Sequence, residues 1–331
     1  MKAFVLLAVA AWFSLSPSVS VPAQAAETVT LVDFSRDSVQ FHNRVAGFIL
    51  EHGFGLKPDY LFSESIPGLM GLERGDVHVA MEVWVDNVLE WYEASQEKKT
   101  AIALGETFPD APQGWYVPTY VIKGDPERGI EPMAPDFRSV EDIARYKELF
   151  RDPEEPDKAR LYNGPTGWQV HSINVKKIEA YGLKDDLLSF DPGSQTALAT
   201  AIVSAYEKGE PILAYYGEPT PIMGELDMTL IEEPAYDPQT WESTAGCAFP
   251  ASRVWKMVNA EWASDHPDVP PFLEAYVTTL DETNAALAYM KTENTDAGEA
   301  AKWFLREYGH LWKAWVGDSR RVSAIEQALA R

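Results

Sequence analysis

Apolar and polar positions along the chain follow two periods in turn. Thr28–Phe34 (TVTLVDF) is an apolar run rich in β-branched residues and predicts a strand. After the polar turn Ser35–Ser38, the pattern predicts a helix from Val39 to His52, closed by Gly53. Phe54–Phe62 is a second strand region, Ser65 to Gly75 a helix, and Asp76–Trp84 (DVHVAMEVW) a short buried strand. Gly114–Lys123 (GWYVPTYVIK) reads as a strand in which Pro118 marks an edge or a crossing. Ser139–Phe150 reads as a helix, and a charged, proline-bearing loop follows over Arg151–Lys158. Beyond a strand end at Leu161, Val170, Ile173, Val175 and Ile178 recur at roughly helical spacing, with Gly182 as the stop. The pattern then gives a helix over Ser194–Lys208, strands over Pro211–Tyr216 and Leu226–Glu232, and a linker at Pro234–Pro238. Phe249–Val258 opens a new region, and Pro270–Leu280, Asp281–Lys291 and Ala297–Trp315 read as successive helices. Strands alternating with helices predict an α/β fold with parallel sheets. The linker-like places near Pro118 and Pro234 suggest a second lobe inserted into a first.

The 331 residues suffice for two domains, and 46% hydrophobic content supplies a full core. A net charge of −23 argues against nucleic acid as a partner, since that needs a basic face. Lys2 followed by the apolar Ala3–Leu15, with Ala23-Gln24-Ala25 as a small-residue cleavage site, reads as a secretory signal removed at about residue 26. No other stretch reaches the ~18 apolar residues of a membrane span. Cys247 is the only cysteine. It leaves no intrachain disulfide and, being far from the signal, no lipid anchor. An exported chain without disulfides points to a bacterial periplasm.

Ligand sites in open α/β sheets lie outside the carboxyl ends of strands. Three such places carry chemistry here. The stretch Leu161–Ile173 (LYNGPTGWQVHSI) is a strand end, a Gly/Pro turn and a helix start. The free backbone N–H groups at Gly167, Gln169 and Val170 form an anion site, beside the face of Trp168; the alternative is a plain turn with a core tryptophan. Asp76–Trp84 delivers Trp84, with Glu82 on the same side and Asn87 just beyond. Pro211–Tyr216 delivers Tyr215 and Tyr216 into the turn Gly217–Pro221, which holds Glu218. Trp115 lies on the strand after Gly114. Several aromatic faces around one spot make a cage for a quaternary ammonium, at about 1–2 kcal/mol per desolvated contact; filling a domain interface is the alternative. Trp303, Trp312 and Trp315 sit at spacings suited to an apolar helix face and are read as core, as are Trp255 and Trp262. There is no HExxH, GxSxG or P-loop, so no catalytic residue, metal or cofactor is expected.

Taken in order, these residues resemble the substrate-binding proteins of glycine betaine/proline-type ABC transporters. Glu82-Val83-Trp84 is similar to the strand end carrying the family's first cage tryptophan. Gly114–Val121 resembles the strand into the second lobe, and Asn163–Trp168 the loop carrying another cage tryptophan, whose following amides hold the ligand carboxylate. Lys208–Tyr216, Glu232-Glu233-Pro234 and Ala301–Val316 are similar to the later strand, crossover and C-terminal helix. The resemblance implies a type II-like periplasmic binding protein of two lobes, each a mixed sheet flanked by helices, joined by a two-segment hinge. Residues 27–117 and 238–331 would form one lobe and 118–237 the other. It implies a protein that binds a betaine, choline, carnitine or amino-acid zwitterion and delivers it to a membrane permease and ATPase; the export signal and two-linker organisation lead us to expect a monomer. A ligand-sensing module feeding a receptor is the alternative. Where the family commonly has a third cage tryptophan, this chain has Gly217 or Glu218, a departure expected to favour an N–H-bearing or cationic head.

Overall fold

The apolar runs of the N-terminal third pair into one sheet. The computed structural model describes residues 27–331 apart from 221, 224 and 251; the expected signal segment, 1–26, lies outside the described residues. From the N-terminus come β1 (Thr28–Asp33), α1 (Asp37–Ile49), β2 (Lys57–Phe62), α2 (Ser65–Arg74), β3 (Val79–Trp84), α3 (Leu89–Lys98) and β4 (Ala101–Ala111). The chain then builds a second sheet from β5 (Gln113–Pro118), α4 (Thr119–Lys123), β6 (Ala159–Tyr162), α5 (Gln169–Ala180), β7 (Leu187–Phe190), α6 (Gln195–Lys208), β8 (Leu213–Gly217) and β9 (Met228–Leu230). After α7 (Pro238–Ser243), β10 (Ser252–Asn259) returns to the first sheet. There follow α8 (Ala260–Asp265), α9 (Val269–Ala275), α10 (Leu280–Thr292), α11 (Ala297–Glu307), α12 (Gly309–Val316) and α13 (Ser319–Leu329).

The strand orders are β2-β1-β3-β10-β4 and β7-β6-β8-β5-β9. β1 is parallel to β2 and β3, and β6 to β7 and β8, as strand–helix alternation predicts. β10 and β5 run antiparallel to both of their neighbours. Each is the first strand after a crossing and so enters its sheet from the opposite end. Both sheets are therefore mixed.

Each sheet has its own core. Phe41, Ile49, Tyr276, Phe304 and Trp312 are buried between the first sheet and the C-terminal helices. Trp115, Phe137, Leu161 and Tyr215 are buried in the second. Burying side chains of this size contributes about 1.5–3 kcal/mol each. Trp315 and Trp262 are buried as expected, while Trp303 is half-buried, its ring stacked 4.7 Å from that of Tyr289. Residues 113–117 and 238–249, expected with the first lobe, sit with the second sheet. β5 hydrogen-bonds there, and Trp241, Ala245 and Phe249 pack into its core. The sheets meet where Ala111 of β4 pairs with Ser252 of β10, so both crossings lie side by side.

Several elements depart from the periodic pattern. The first helix runs on through a π-helical turn, Leu50–Phe54, and stops at Gly55 (φ 73°) rather than Gly53. Gly114–Lys123 splits at Pro118, which ends β5 and caps α4; Pro118 is not at an edge, since β5 lies between β8 and β9. Residues 139–150 form a 3-10 turn at Val140–Asp142 and then successive tight turns. There, burial of Phe137, Val140, Ile143 and Phe150 in the second core outweighs helical propensity. The long C-terminal helix breaks at Tyr308-Gly309 into α11 and α12, and α13 follows.

Candidate functional site

Strand ends from both sheets converge on one cleft. β3 ends with Glu82 and Trp84 on the same face, and Trp84 Nε1 donates to Glu82 Oε1 at 2.9 Å. β1 ends in the loop that carries Ser35 and Arg36, the latter at the N-cap of α1. From the second sheet, the turn after β6 is built by Asn163. Its Oδ1 accepts from Gly164 N and from Asn174 Nδ2, both at 2.7 Å, while His171 Nδ1 lies 2.7 Å from Gly164 O. That bracing sets Trp168 at the N-cap of α5 and leaves the amides of Gln169 and Val170 in the first turn. β8 brings in Tyr215, whose hydroxyl donates to Gln113 Oε1 at 2.8 Å. Burial pushes the Tyr215 phenol well above its usual pKa, so it stays protonated.

The two sides touch across the cleft. Trp168 Nε1 donates to Ser35 Oγ at 3.0 Å, and Ser35 Oγ donates to Glu64 Oε2 at 3.2 Å. Gly167 lies so close to Glu64 that an added Cβ would come 2.5 Å from its Cγ. The free cavity enclosed by Arg36, Glu82, Trp84, Trp168, Gln169 and Tyr215 is about 40 Å³.

Between the two indoles sits a cation belonging to the chain itself. The Arg36 guanidinium carbon is 4.5 Å from the Trp84 ring centroid and 5.4 Å from that of Trp168. Its Nε is 3.2 Å from Glu82 Oε1. Arg36 is 9% and Glu82 2% exposed. Among the described residues, Arg36 Nε and Nη2 and Glu82 Oε2 have no aligned hydrogen-bond partner.

Of the residues the sequence singled out, Glu82, Trp84, Asn87, Trp168, Gln169, Val170 and Tyr215 come together around this cleft. Four do not line it. Tyr216 alternates to the other face of β8 and packs with Leu198 and Ile222. Trp115 is wholly buried in the second core, where its Nε1 donates to Asn174 Oδ1 at 2.8 Å and steadies α5. Gly167 is at the rim, against Glu64. Glu218 lies past the end of β8, its backbone N–H donating to Pro112 O at 2.9 Å, beside the crossing rather than in the cleft. Burial raises the Glu218 carboxyl pKa. The residue missed is Arg36. The rule that found Trp84, proximity to a strand's carboxyl end, applies equally to the residues after Asp33. Among the described residues, no group of His, Cys, Asp and Glu is arranged to hold a metal ion.

Two mixed sheets flanked by helices, facing each other across a cleft fed by strand ends, define a two-lobed periplasmic-binding-protein fold. The chain belongs to the family of substrate-binding domains of ABC-type glycine betaine transport systems, whose sequence model matches residues 27–307. Among solved structures it is similar to the glycine betaine/L-proline-binding protein ProX of Borrelia burgdorferi. That match has a TM-score of 0.73 and 15% identity, over 90% of this chain and 100% of that one. It is also similar to an ABC-transporter choline-binding protein solved with choline (0.71, 19% identity, 91% and 98% covered). A third is lactococcal OpuAC, closed on glycine betaine (0.68, 17% identity, 88% and 99% covered). No curated protein matches by sequence.

Proposed function

We propose that this substrate-binding protein takes a small zwitterionic or cationic solute, a betaine-like compound or an amino acid, into the cleft between Trp84 and Trp168. It then presents the closed lobes to a membrane permease and its ATPase. The reading includes export to the periplasm, a monomeric mature chain, and lobes divided at the two crossings, 113–250 against the rest. The observation that carries it is the pair of indole faces, one from each sheet, holding a guanidinium at 4.5 and 5.4 Å. Such a gap is sized and polarised for a cation, and it exists only when the lobes are together. The amides of Gln169 and Val170 at the start of α5 suit the solute's carboxylate.

Thermal-shift screening of the mature chain against glycine betaine, choline, carnitine, L-proline and L-histidine tests this, followed by titration calorimetry on any hit. At least one compound should raise the melting temperature and bind at a stoichiometry of one. If none does at millimolar concentration, the cleft is not a site for this class of solute.

A further inference from the structure

In a cage for a quaternary ammonium, the space between the aromatic faces belongs to the ligand. Here the Arg36 guanidinium already lies over the rings of Trp84 and Trp168, held by Glu82. The pair is nevertheless unfinished. Arg36 Nη2 and Nε, the latter 3.2 Å from Glu82 Oε1, and Glu82 Oε2 are buried with no aligned partner among the described residues. Buried donors and acceptors are costly to leave unmade, and buried charges more so. The cavity beside them, about 40 Å³, has room for roughly three or four waters.

Resting on the reading of the cleft as the solute site, we propose that Arg36 is a resident cation and that the solute is an N–H-bearing amino-acid zwitterion. Its carboxylate meets the guanidinium edge of Arg36 turned away from Glu82, in the cavity that Gln169 and Val170 also line. Its ammonium donates to Glu82 Oε2. A planar guanidinium presents parallel donors that match a carboxylate, and the oxygen of Glu82 accepts only from an N–H or O–H group. Trimethylammonium fails on both counts. It cannot donate to Glu82, and to reach the indole faces it must displace Arg36. Displacement would leave Glu82 buried with only Trp84 Nε1 as its donor. In this chain one residue that follows a strand end, Arg36, turns the cleft toward unmethylated cations.

An N-methylation ladder decides the matter. Calorimetry would compare glycine, N-methylglycine, N,N-dimethylglycine and glycine betaine, and in parallel L-proline, N-methylproline and proline betaine. The wild-type chain should bind the N–H-bearing members of at least one series and lose tenfold or more in affinity when the last N–H is replaced by methyl. In Arg36→Ala the order should reverse: the amino acids weaken at least tenfold and glycine betaine gains. Arg36→Lys, checked by circular dichroism and melting temperature, should keep the preference for N–H, and the wild-type ladder stands by itself if neither variant folds. Tightest wild-type binding to the fully methylated member would overturn the inference while leaving the zwitterion site standing. No binding to any member of either series would overturn the inference alone, and the reading of the cleft as a solute site would then be decided by choline, carnitine and L-histidine.

Discussion

A cation gripped between two aromatic faces depends on both. Trp84→Ala or Trp168→Ala removes one face and, for Trp84, the Nε1 donor to Glu82 as well. Either change loosens the grip on Arg36, at about 2 kcal/mol for a desolvated contact, and through the loss of that placed guanidinium should weaken solute binding by more than tenfold in calorimetry with the fold intact. Unchanged affinity in both variants would rule out the indoles as walls. Two other buried groups set a pH dependence unrelated to the cleft. His42 is fully buried, 2.7 Å from the Tyr276 hydroxyl, and burial together with the nearby charge of Lys256 pulls its pKa from 6.5 down to about 3. Burial likewise lowers Lys256 from 10.5 to about 7; its ammonium faces the carbonyls of Glu106 and Tyr276. In both cases the unfolded chain binds more protons, so stability rises with pH between the folded and unfolded values. His42 should make the protein about 2–3 kcal/mol less stable at pH 4.5 than at pH 7, and Lys256 should add about 2 kcal/mol from pH 7 to 9. Urea midpoints at the three pH values check this, and Lys256→Met should flatten the alkaline limb. At this scale the sequence shows the site's walls and hides its occupant. Strand-end tryptophans announce themselves, whereas an arginine after a strand reads as a surface residue until a second strand brings Glu82 beneath it.

The turn from β6 into α5 controls how closely the sides approach. Gly167 is conformationally ordinary but sterically tight, since its Cβ would meet Glu64 Cβ at 2.7 Å and Cγ at 2.5 Å. Both are near the root of that side chain, where little freedom exists to move aside. Gly167→Ala should therefore hinder closure, weakening solute binding several-fold while leaving the melting temperature of the solute-free protein within a few degrees. A large fall in that temperature would mean the glycine serves the turn itself. Elements with strong local punctuation were legible in the sequence: α2, α6 and α5 end next to Gly75, Gly209 and Gly182, all with positive φ. Elements set by distant contacts were not. The segment 139–150 has helical spacing but coils into turns to seat Val140, Ile143 and Phe150 in the second core. α13 does carry Val322, Ile325 and Leu329 at helical spacing on one face, and it was readable although it is not among the expected helices. The direction of β5 and β10 depends on where the chain crosses between sheets, which no local pattern records.

For the whole molecule, solute should shift the population toward the closed form. Small-angle scattering of the mature chain should show a smaller radius of gyration at saturation, and identical profiles would argue against closure. Lys291 of α10 and Glu225 of the second-sheet side form an ion pair across the periphery. Both are nearly half exposed, so reversing Glu225 to Lys should change affinity less than threefold. The two crossings are another matter. Ala111 and Ser252 are neighbours across a single strand spacing, about 4.8 Å. The Gln113 side chain bonds Asn87 at 3.1 and 3.2 Å, Ser252 at 3.0 Å and the Tyr215 hydroxyl at 2.8 Å. A strap of two strands laid edge to edge folds like a book spine but strongly resists wringing. On the proposed function, the lobes would therefore swing along one arc and arrive at one register, whatever solute is between them. Because Tyr215 lines the cleft and is fastened to that spine through its hydroxyl, the proposed cargo would be felt at the fold line. A transporter partner would then need to recognise a single silhouette, leaving the reading of chemical identity to the cleft.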